Sequence, residues 1–257
     1  MKICRVRYGT VERYGEIRGE SMALLPARWL IGDPLVPSEM SDEIPASEAE
    51  FLVPVRPSKI VCVGRNYAKH ADELNNPLPE EPLLFLKAPS ALCTEGEAIR
   101  LPSQSSRVEH EGELAFVIGR NCRAIDDGED LLSYLFGYLP ANDVTARDLQ
   151  KKDVQFTRAK SFDTFCPVGP AIETETDVSD VRVTTNVNGE IRQDGRTSEM
   201  IFDIPFLIRY ISSQMTLLAG DLVLTGTPAG VSKLNEGDVC EVSIESVGSV
   251  SNPVETL

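Results

Sequence analysis

The chain has 257 residues, 42% of them apolar and 25% charged, and carries a formal net charge of −15. That length admits one large domain or a large and a small one, and the composition is that of a soluble globular protein. The acidic balance argues against nucleic acid and anionic membranes as partners, no apolar run reaches the ~20 residues of a membrane span, and Met1 to Arg7 lack the apolar stretch of a signal peptide, so a cytoplasmic protein is expected.

In chain order, residues 2–7 and 11–17 alternate apolar and polar positions around Tyr8-Gly9-Thr10, which predicts a small β-rich domain over residues 1–56. Pro54-Val55-Arg56-Pro57 then reads as a stiff linker, because proline fixes its own φ and restricts the residue before it. Over residues 57–257 strand signals dominate, at 59–63, 83–87, 114–118, 181–187, 221–225 and 239–244. Asn188-Gly189 predicts a hairpin turn, since both residues tolerate positive φ. Helices are predicted only at 66–74, 146–151 and 204–213. There is no β-α-β alternation and no Gly-rich phosphate loop, which argues against a nucleotide fold. Six cysteines, at 4, 62, 93, 122, 166 and 240, include no Cys-x-x-Cys and are expected as buried free thiols.

Glu111-Gly112-Glu113 is the segment that points to chemistry. Side chains alternate along a strand, so the two glutamates share a face, and the apolar residues after them anchor that strand in a core. Like charges side by side are costly unless a cation neutralises them, and oxygen ligands suit Mg²⁺ or Ca²⁺. The other reading is an acidic strand edge. Asp143 precedes the helix predicted at 146–151, with Arg147 and Gln150 following at helical spacing. It either caps that helix or completes a metal site whose neighbouring donors hold an anionic substrate. Glu109 is read as outer support or an exposed group, His110 as structural because it faces away from the pair, and Lys87 as a lining residue or a solvated strand end.

Several further motifs occur in order: Gly64-Arg65-Asn66-Tyr67 with His70 and Glu73, Phe85-Leu86-Lys87, Asn142-Asp143 with Arg147-Asp148, Lys160-Ser161-Phe162-Asp163, Asn188-Gly189-Glu190 with Gln193, and Leu224-Thr225-Gly226-Thr227-Pro228. From about Lys59 to the C-terminus the chain resembles the fumarylacetoacetate hydrolase superfamily, in its shorter prokaryotic-type branch. The resemblance implies a mainly β (α+β) fold, with a mixed-sheet β-roll catalytic domain at 57–257 and a small N-terminal β domain. It implies Mg²⁺, or Mn²⁺ or Ca²⁺, on Glu111, Glu113 and Asp143, with Lys160 as the active-site lysine. It makes His70 and Glu73 an acid/base dyad on a short lid helix, gives Arg147, Gln150 and Thr227 contacts to substrate oxygens, and implies a homodimer; Asp163 is read as a partner that positions Lys160 or its loop. One departure is that Val63-Gly64-Arg65-Asn66 lacks the further metal-binding aspartate that eukaryotic-type members carry before the lid.

The implied activity is metal-dependent C–C bond cleavage in small anionic 2-oxo acids through a metal-stabilised enolate, with acylpyruvate- or fumarylpyruvate-type hydrolysis first. Oxaloacetate-type decarboxylation and 2-hydroxyhepta-2,4-diene-1,7-dioate-type isomerisation or tautomerisation share that intermediate. His70 and Glu73, at i and i+3, would decide between them by activating water or excluding it. The alternative of another class is a catalytically silent metabolite-binding relative, which has no chemical use for all six of Glu111, Glu113, Asp143, Lys160, His70 and Glu73.

Overall fold

The computed structural model describes residues 1–34, 39–41, 43–73 and 77–257. Strand Gly112–Ile118 is the axis of the fold. It is buried along its whole length, and its alternate residues feed two different cores. Leu114, Phe116 and Ile118 pack with Val183, Val242 and Ile244 and with helix residues Leu207, Ile208 and Ile211. Ala115 and Val117 pack on the opposite side with Ile60, Cys62, Leu139 and Leu222. Each large side chain so buried contributes roughly 1.5–3 kcal/mol. Glu113 therefore belongs, by parity, to the face of Ala115 and Val117.

That strand lies within an eleven-stranded mixed sheet. On one side follow Leu222–Leu224, Ile60–Gly64 and Leu83–Lys87, the last at the edge; Leu222–Leu224 runs parallel to Ile60–Gly64 and the other pairings are antiparallel. On the other side follow Leu135–Asn142, Ala171–Glu173, Lys2–Tyr8, Val11–Arg18, Ser21–Leu24 and Glu43–Pro45, with Glu50–Leu52 also paired to Lys2–Tyr8. A five-stranded sheet, in the order Glu190–Arg196, Arg182–Val187, Val239–Ile244, Gly248–Thr256 and Ile99–Leu101, packs across the central strands. The architecture is mainly β with mixed sheets, as expected. The N-terminal hairpin extends the same large sheet through the pairing of Lys2 with Glu173 and Ile3 with Ile172. It keeps a small cluster of its own, Cys4, Val6, Met22 and Leu24.

Four α-helices are present among the described residues: α1 (Ala68–Glu73), α2 (Arg147–Lys152), α3 (Thr157–Lys160) and α4 (Ile204–Gln214). In α4, Asp203 accepts a hydrogen bond from the Phe206 N–H at 2.8 Å and caps the helix, while Ile204, Leu207, Ile208 and Ile211 form its buried stripe. Asn188 and Gly189 both have positive φ, 54° and 85°, and join Arg182–Val187 to Glu190–Arg196 as expected. All six cysteines are free and buried. No helix among the described residues is long and apolar enough to cross a membrane.

The structure adds one strand to those read from sequence and decides one open alternative. Leu135–Asn142 is a full strand beside the axis, although Gly137 and Pro140 had hidden it. Its glycine is required, because a Cβ at Gly137 would lie 2.4 Å from the Glu173 carbonyl oxygen. Asp143 follows this strand and does not cap α2; the N-cap position is Ala146, which makes no side-chain cap bond. The predicted last residue of the lid helix, Leu74, lies outside the described residues.

Candidate active site

The two central strands bring the acidic groups together. Glu113 pairs in register with Ala141 and Gly112 with Asn142, and the Asp143 N–H donates to the Glu111 carbonyl at 2.8 Å. Three carboxylates thus converge from two adjacent strand ends. Glu111, Glu113 and Asp143 are buried, and one oxygen from each lies within 4.8 Å of the others.

Gly112, between the glutamates, is held from several directions. Its N–H donates to Gln193 Oε1 at 2.9 Å and its carbonyl accepts from Thr227 Oγ1 at 2.8 Å. Gln193 in turn donates to Thr227 Oγ1 at 2.6 Å and accepts from Thr185 Oγ1 at 2.7 Å. His110 completes the network, with Nδ1 3.0 Å from Gln193 Oε1 and Nε2 2.8 Å from Ser232 Oγ. Burial first lowers its pKa, against the Gln193 bond, so its role as a structural imidazole holds.

The basic groups are distributed unevenly over the carboxylates. Lys160, at the end of α3, donates to Glu111 Oε2 at 2.7 Å and Asp143 Oδ2 at 2.6 Å, and its Nζ sits 5.0 Å from the Phe85 ring centroid. Lys87, fully buried at the end of Leu83–Lys87, donates to Asp143 Oδ1 at 2.6 Å and to the Val144 carbonyl at 3.2 Å. Arg147 donates to Glu109 Oε2 at 2.6 Å, to Gln150 Oε1 at 2.6 Å and to Glu111. Burial alone would raise the Glu111 carboxyl, but Lys160 and Arg147 outweigh it and hold the group well below the usual carboxylate range. Burial alone would lower Lys160 and Arg147, and their carboxylate partners raise both instead.

Glu113 is different. Its hydrogen-bond donor among the described residues is the Gly226 N–H at 2.7 Å, and no cationic side chain bonds it. Burial, then the charges of Asp143 and Glu111, push its pKa well above the ordinary value. A buried carboxylate that no cationic side chain bonds, converging with two others and with no imidazole or thiol in the group, fits a hard divalent cation.

A cavity of about 460 Å³ opens over this cluster. All nine residues expected from sequence line it: Glu111, Glu113, Asp143, Lys160, His70, Glu73, Arg147, Gln150 and Thr227. His70 Nδ1 lies 3.3 Å from Glu73 Oε2, and the Glu73 carboxylate accepts from the Gly230 N–H at 3.1 and 3.2 Å. The Thr227 hydroxyl gives its proton to the Gly112 carbonyl, so it can offer a substrate only a lone pair. Arg147 clamps Glu109 and Glu111, and Gln150 accepts from Arg147, so the bonds of both run to protein groups. Asp163 is exposed and without a bonding partner among the described residues, so it does not support Lys160; the Glu111 and Asp143 carboxylates do. Arg65, Arg107 and Lys151 also line the cavity and went unnoticed as cavity residues. The signal for Arg65 lay inside its motif, while Arg107 and Lys151 carried none.

The model of the fumarylacetoacetate (FAA) hydrolase C-terminal family matches residues 59–255. The chain belongs to that family. Oxaloacetate tautomerase YisK of Bacillus subtilis is 42% identical over 223 residues, 81% of this chain and 74% of that one. The mitochondrial oxaloacetate tautomerase FAHD1 of Bos taurus is 44% identical over 202 residues, 76% of this chain and 91% of that one. Among solved structures, a 5-carboxymethyl-2-hydroxymuconate delta-isomerase from Mycobacterium smegmatis superposes with a TM-score of 0.88 at 39% identity, covering 100% of this chain and 99% of that one.

Proposed function

We propose that this member of the FAA hydrolase family is a Mg²⁺-dependent enzyme that enolises small 2-oxo acids, interconverting the keto and enol forms of an oxaloacetate-like substrate. The observation that carries the reading is that the acidic triad, Lys160 and the His70–Glu73 pair face one cavity of about 460 Å³. The similarity to proteins named oxaloacetate tautomerase supports the choice of proton transfer over bond cleavage.

Glu111, Glu113 and Asp143 would hold the ion, which when bound supplies Lewis-acid polarisation of the 2-oxo group. Lys160 uses two of its three N–H donors on Glu111 and Asp143, leaving one for the substrate oxygen on which charge builds up. With Nδ1–H donated to Glu73, His70 carries its lone pair on Nε2, where it takes a proton from the carbon next to the oxo group. One proton leaves carbon and one is gained by oxygen, so the step is an isomerisation. Glu73, held by the Gly230 N–H, orients the imidazole.

The same pair favours a second reading. His70 could instead deprotonate a water, which would give hydrolysis of an acylpyruvate C–C bond. The ultraviolet absorbance of the oxaloacetate enol, followed with chelator-stripped and Mg²⁺-reloaded protein, tests the first reading. Reloaded protein is expected to accelerate the interconversion, and His70→Ala to slow it by ~10²–10⁴-fold. Equal rates for stripped and reloaded protein would overturn it. Acylpyruvate turnover without tautomerisation would select the second.

A further inference from the structure

Arg65 stands in a backbone conformation that arginine rarely adopts. Its φ is +59°, in the left-handed region, which costs a residue with a Cβ about 1–2 kcal/mol. The neighbouring residue fixes this geometry. Asn66, fully buried, donates through Nδ2 to the Phe202 carbonyl at 3.0 Å and the Thr225 carbonyl at 2.8 Å, and accepts from the Phe202 N–H at 2.8 Å. Its own carbonyl accepts from the Ile201 N–H at 2.8 Å. Gly226 leaves room for it, since a Cβ there would sit 2.7 Å from Asn66 Cβ. A strained residue persists only where its surroundings over-determine it, and such residues gather at functional sites.

The strained residue carries a charge to the cavity. Arg65 lines it, partly buried, and its guanidinium forms no hydrogen bond or ion pair among the described residues. Lys160 and Arg147, by contrast, are committed to the triad carboxylates, and Arg107 holds Glu109 at 2.5 Å. Leu83, Phe85 and Phe156 supply apolar wall in the same cavity. A guanidinium without a partner, beside apolar side chains, is a fork for a carboxylate that the protein itself does not provide.

We infer that Arg65 is a specificity-determining residue that binds an anionic group on the substrate remote from its 2-oxo acid end, so that the cavity selects dianionic over monoanionic oxo acids. The inference rests on the enolising function proposed above. The structural price of the left-handed backbone is then matched by a positioned cation that an extended residue would not place there.

The test uses two probes of equal chain length, 2-oxoglutarate and 2-oxopentanoate, which differ in the distal carboxylate and rest in the keto form, so that enolisation produces no net turnover. Calorimetry on the Mg²⁺-loaded full chain gives the affinity for each. The wild-type protein is expected to prefer 2-oxoglutarate, and Arg65→Gln to weaken that acid by about 10- to 100-fold, the range for a lost charge-assisted hydrogen bond. Binding of 2-oxopentanoate should stay within about twofold of wild type. Arg65→Lys should recover part of the preference, and Arg65→Gly should lose it while relieving the backbone, which separates charge from fold. Equal weakening of both acids, or of neither, overturns the assignment while leaving the enolising function intact. Absence of any Mg²⁺-dependent binding of either acid overturns the function, and the assignment with it.

Discussion

Glu113 is the residue on which the metal assignment turns. It is buried beside two other carboxylates, and no cationic side chain bonds it. Replacing it with Gln in the metal-free protein removes a carboxyl that burial and its acidic neighbours make costly to ionise, and keeps the shape, so the melting temperature should hold or rise. The stabilisation that saturating Mg²⁺ gives the wild type, ~2.7 kcal/mol at a hundredfold excess over Kd, should disappear. Thermal melts with and without Mg²⁺ check both halves, and a full Mg²⁺ shift in Glu113→Gln would refute the triad. Asp148 offers a test away from the metal. Burial would raise its carboxyl, but the Ser105 hydroxyl and the N–H and hydroxyl of Ser106 bring it down from 3.8 to about 2. A depressed carboxyl stabilises the fold fully above pH 3.8, and the gain is lost as pH falls through about 2. The stability gap between wild type and Asp148→Asn in urea should therefore narrow over that window, and a gap independent of pH would remove the charged hydrogen bonds from the account.

At the scale of elements, the strand that carries the glutamates depends on what sits between them. A Cβ on Gly112 would fall 2.0 Å from Thr185 Oγ1 and 3.2 Å from Val242, across the inter-sheet contact. Gly112→Ala should cost about 1–3 kcal/mol by overpacking and shift both carboxylates. Denaturant midpoints and Mg²⁺ affinity should fall together, and an unchanged protein would mean that the two sheets can part here. How much of this was legible in sequence differs by element. Strands 83–87 and 239–244 were read with their observed bounds, because each is short, apolar or alternating, and flanked by turn residues. The three acidic residues could be read as a group because two share a strand parity and the third belongs to a family motif. Leu135–Asn142 escaped, since Gly137 and Pro140 oppose strand propensity and only the packing against Glu173 explains the glycine. Helix α3 escaped because four residues carry no periodicity. Lys87 was left between two readings; its burial against Asp143 is a tertiary fact that no local pattern announces.

Over the whole molecule, the edge strand Leu83–Lys87 leaves Leu86 44% exposed, and nearby α4 leaves Phe206 46% exposed in a row of stacked rings with Phe202 and Tyr210. Tyr210 also bonds Glu81, just before that strand, so the two surfaces adjoin. An apolar edge left open is an invitation to pairing. We propose that a second copy covers this side of the large sheet. Light scattering should give twice 28.2 kDa, and Leu86→Lys should halve it. A monomeric wild type would reject the proposal. The order of strands has a different consequence, for the time at which the chain can fold. Lys2–Tyr8 finds its partner at Ala171–Glu173, and the gap between Gly112–Ile118 and Ile60–Gly64 is filled by Leu222–Leu224. During synthesis Lys2–Tyr8 can pair early with Val11–Arg18, but Lys2 to Cys4 wait for their second partners some 170 positions later, and the middle of the sheet stays open until nearly the whole chain has emerged. Such distant closures are entropically costly and slow. Closure of the large sheet is therefore expected only once residues 222–224 have been made, and until then its strands present unpaired edges.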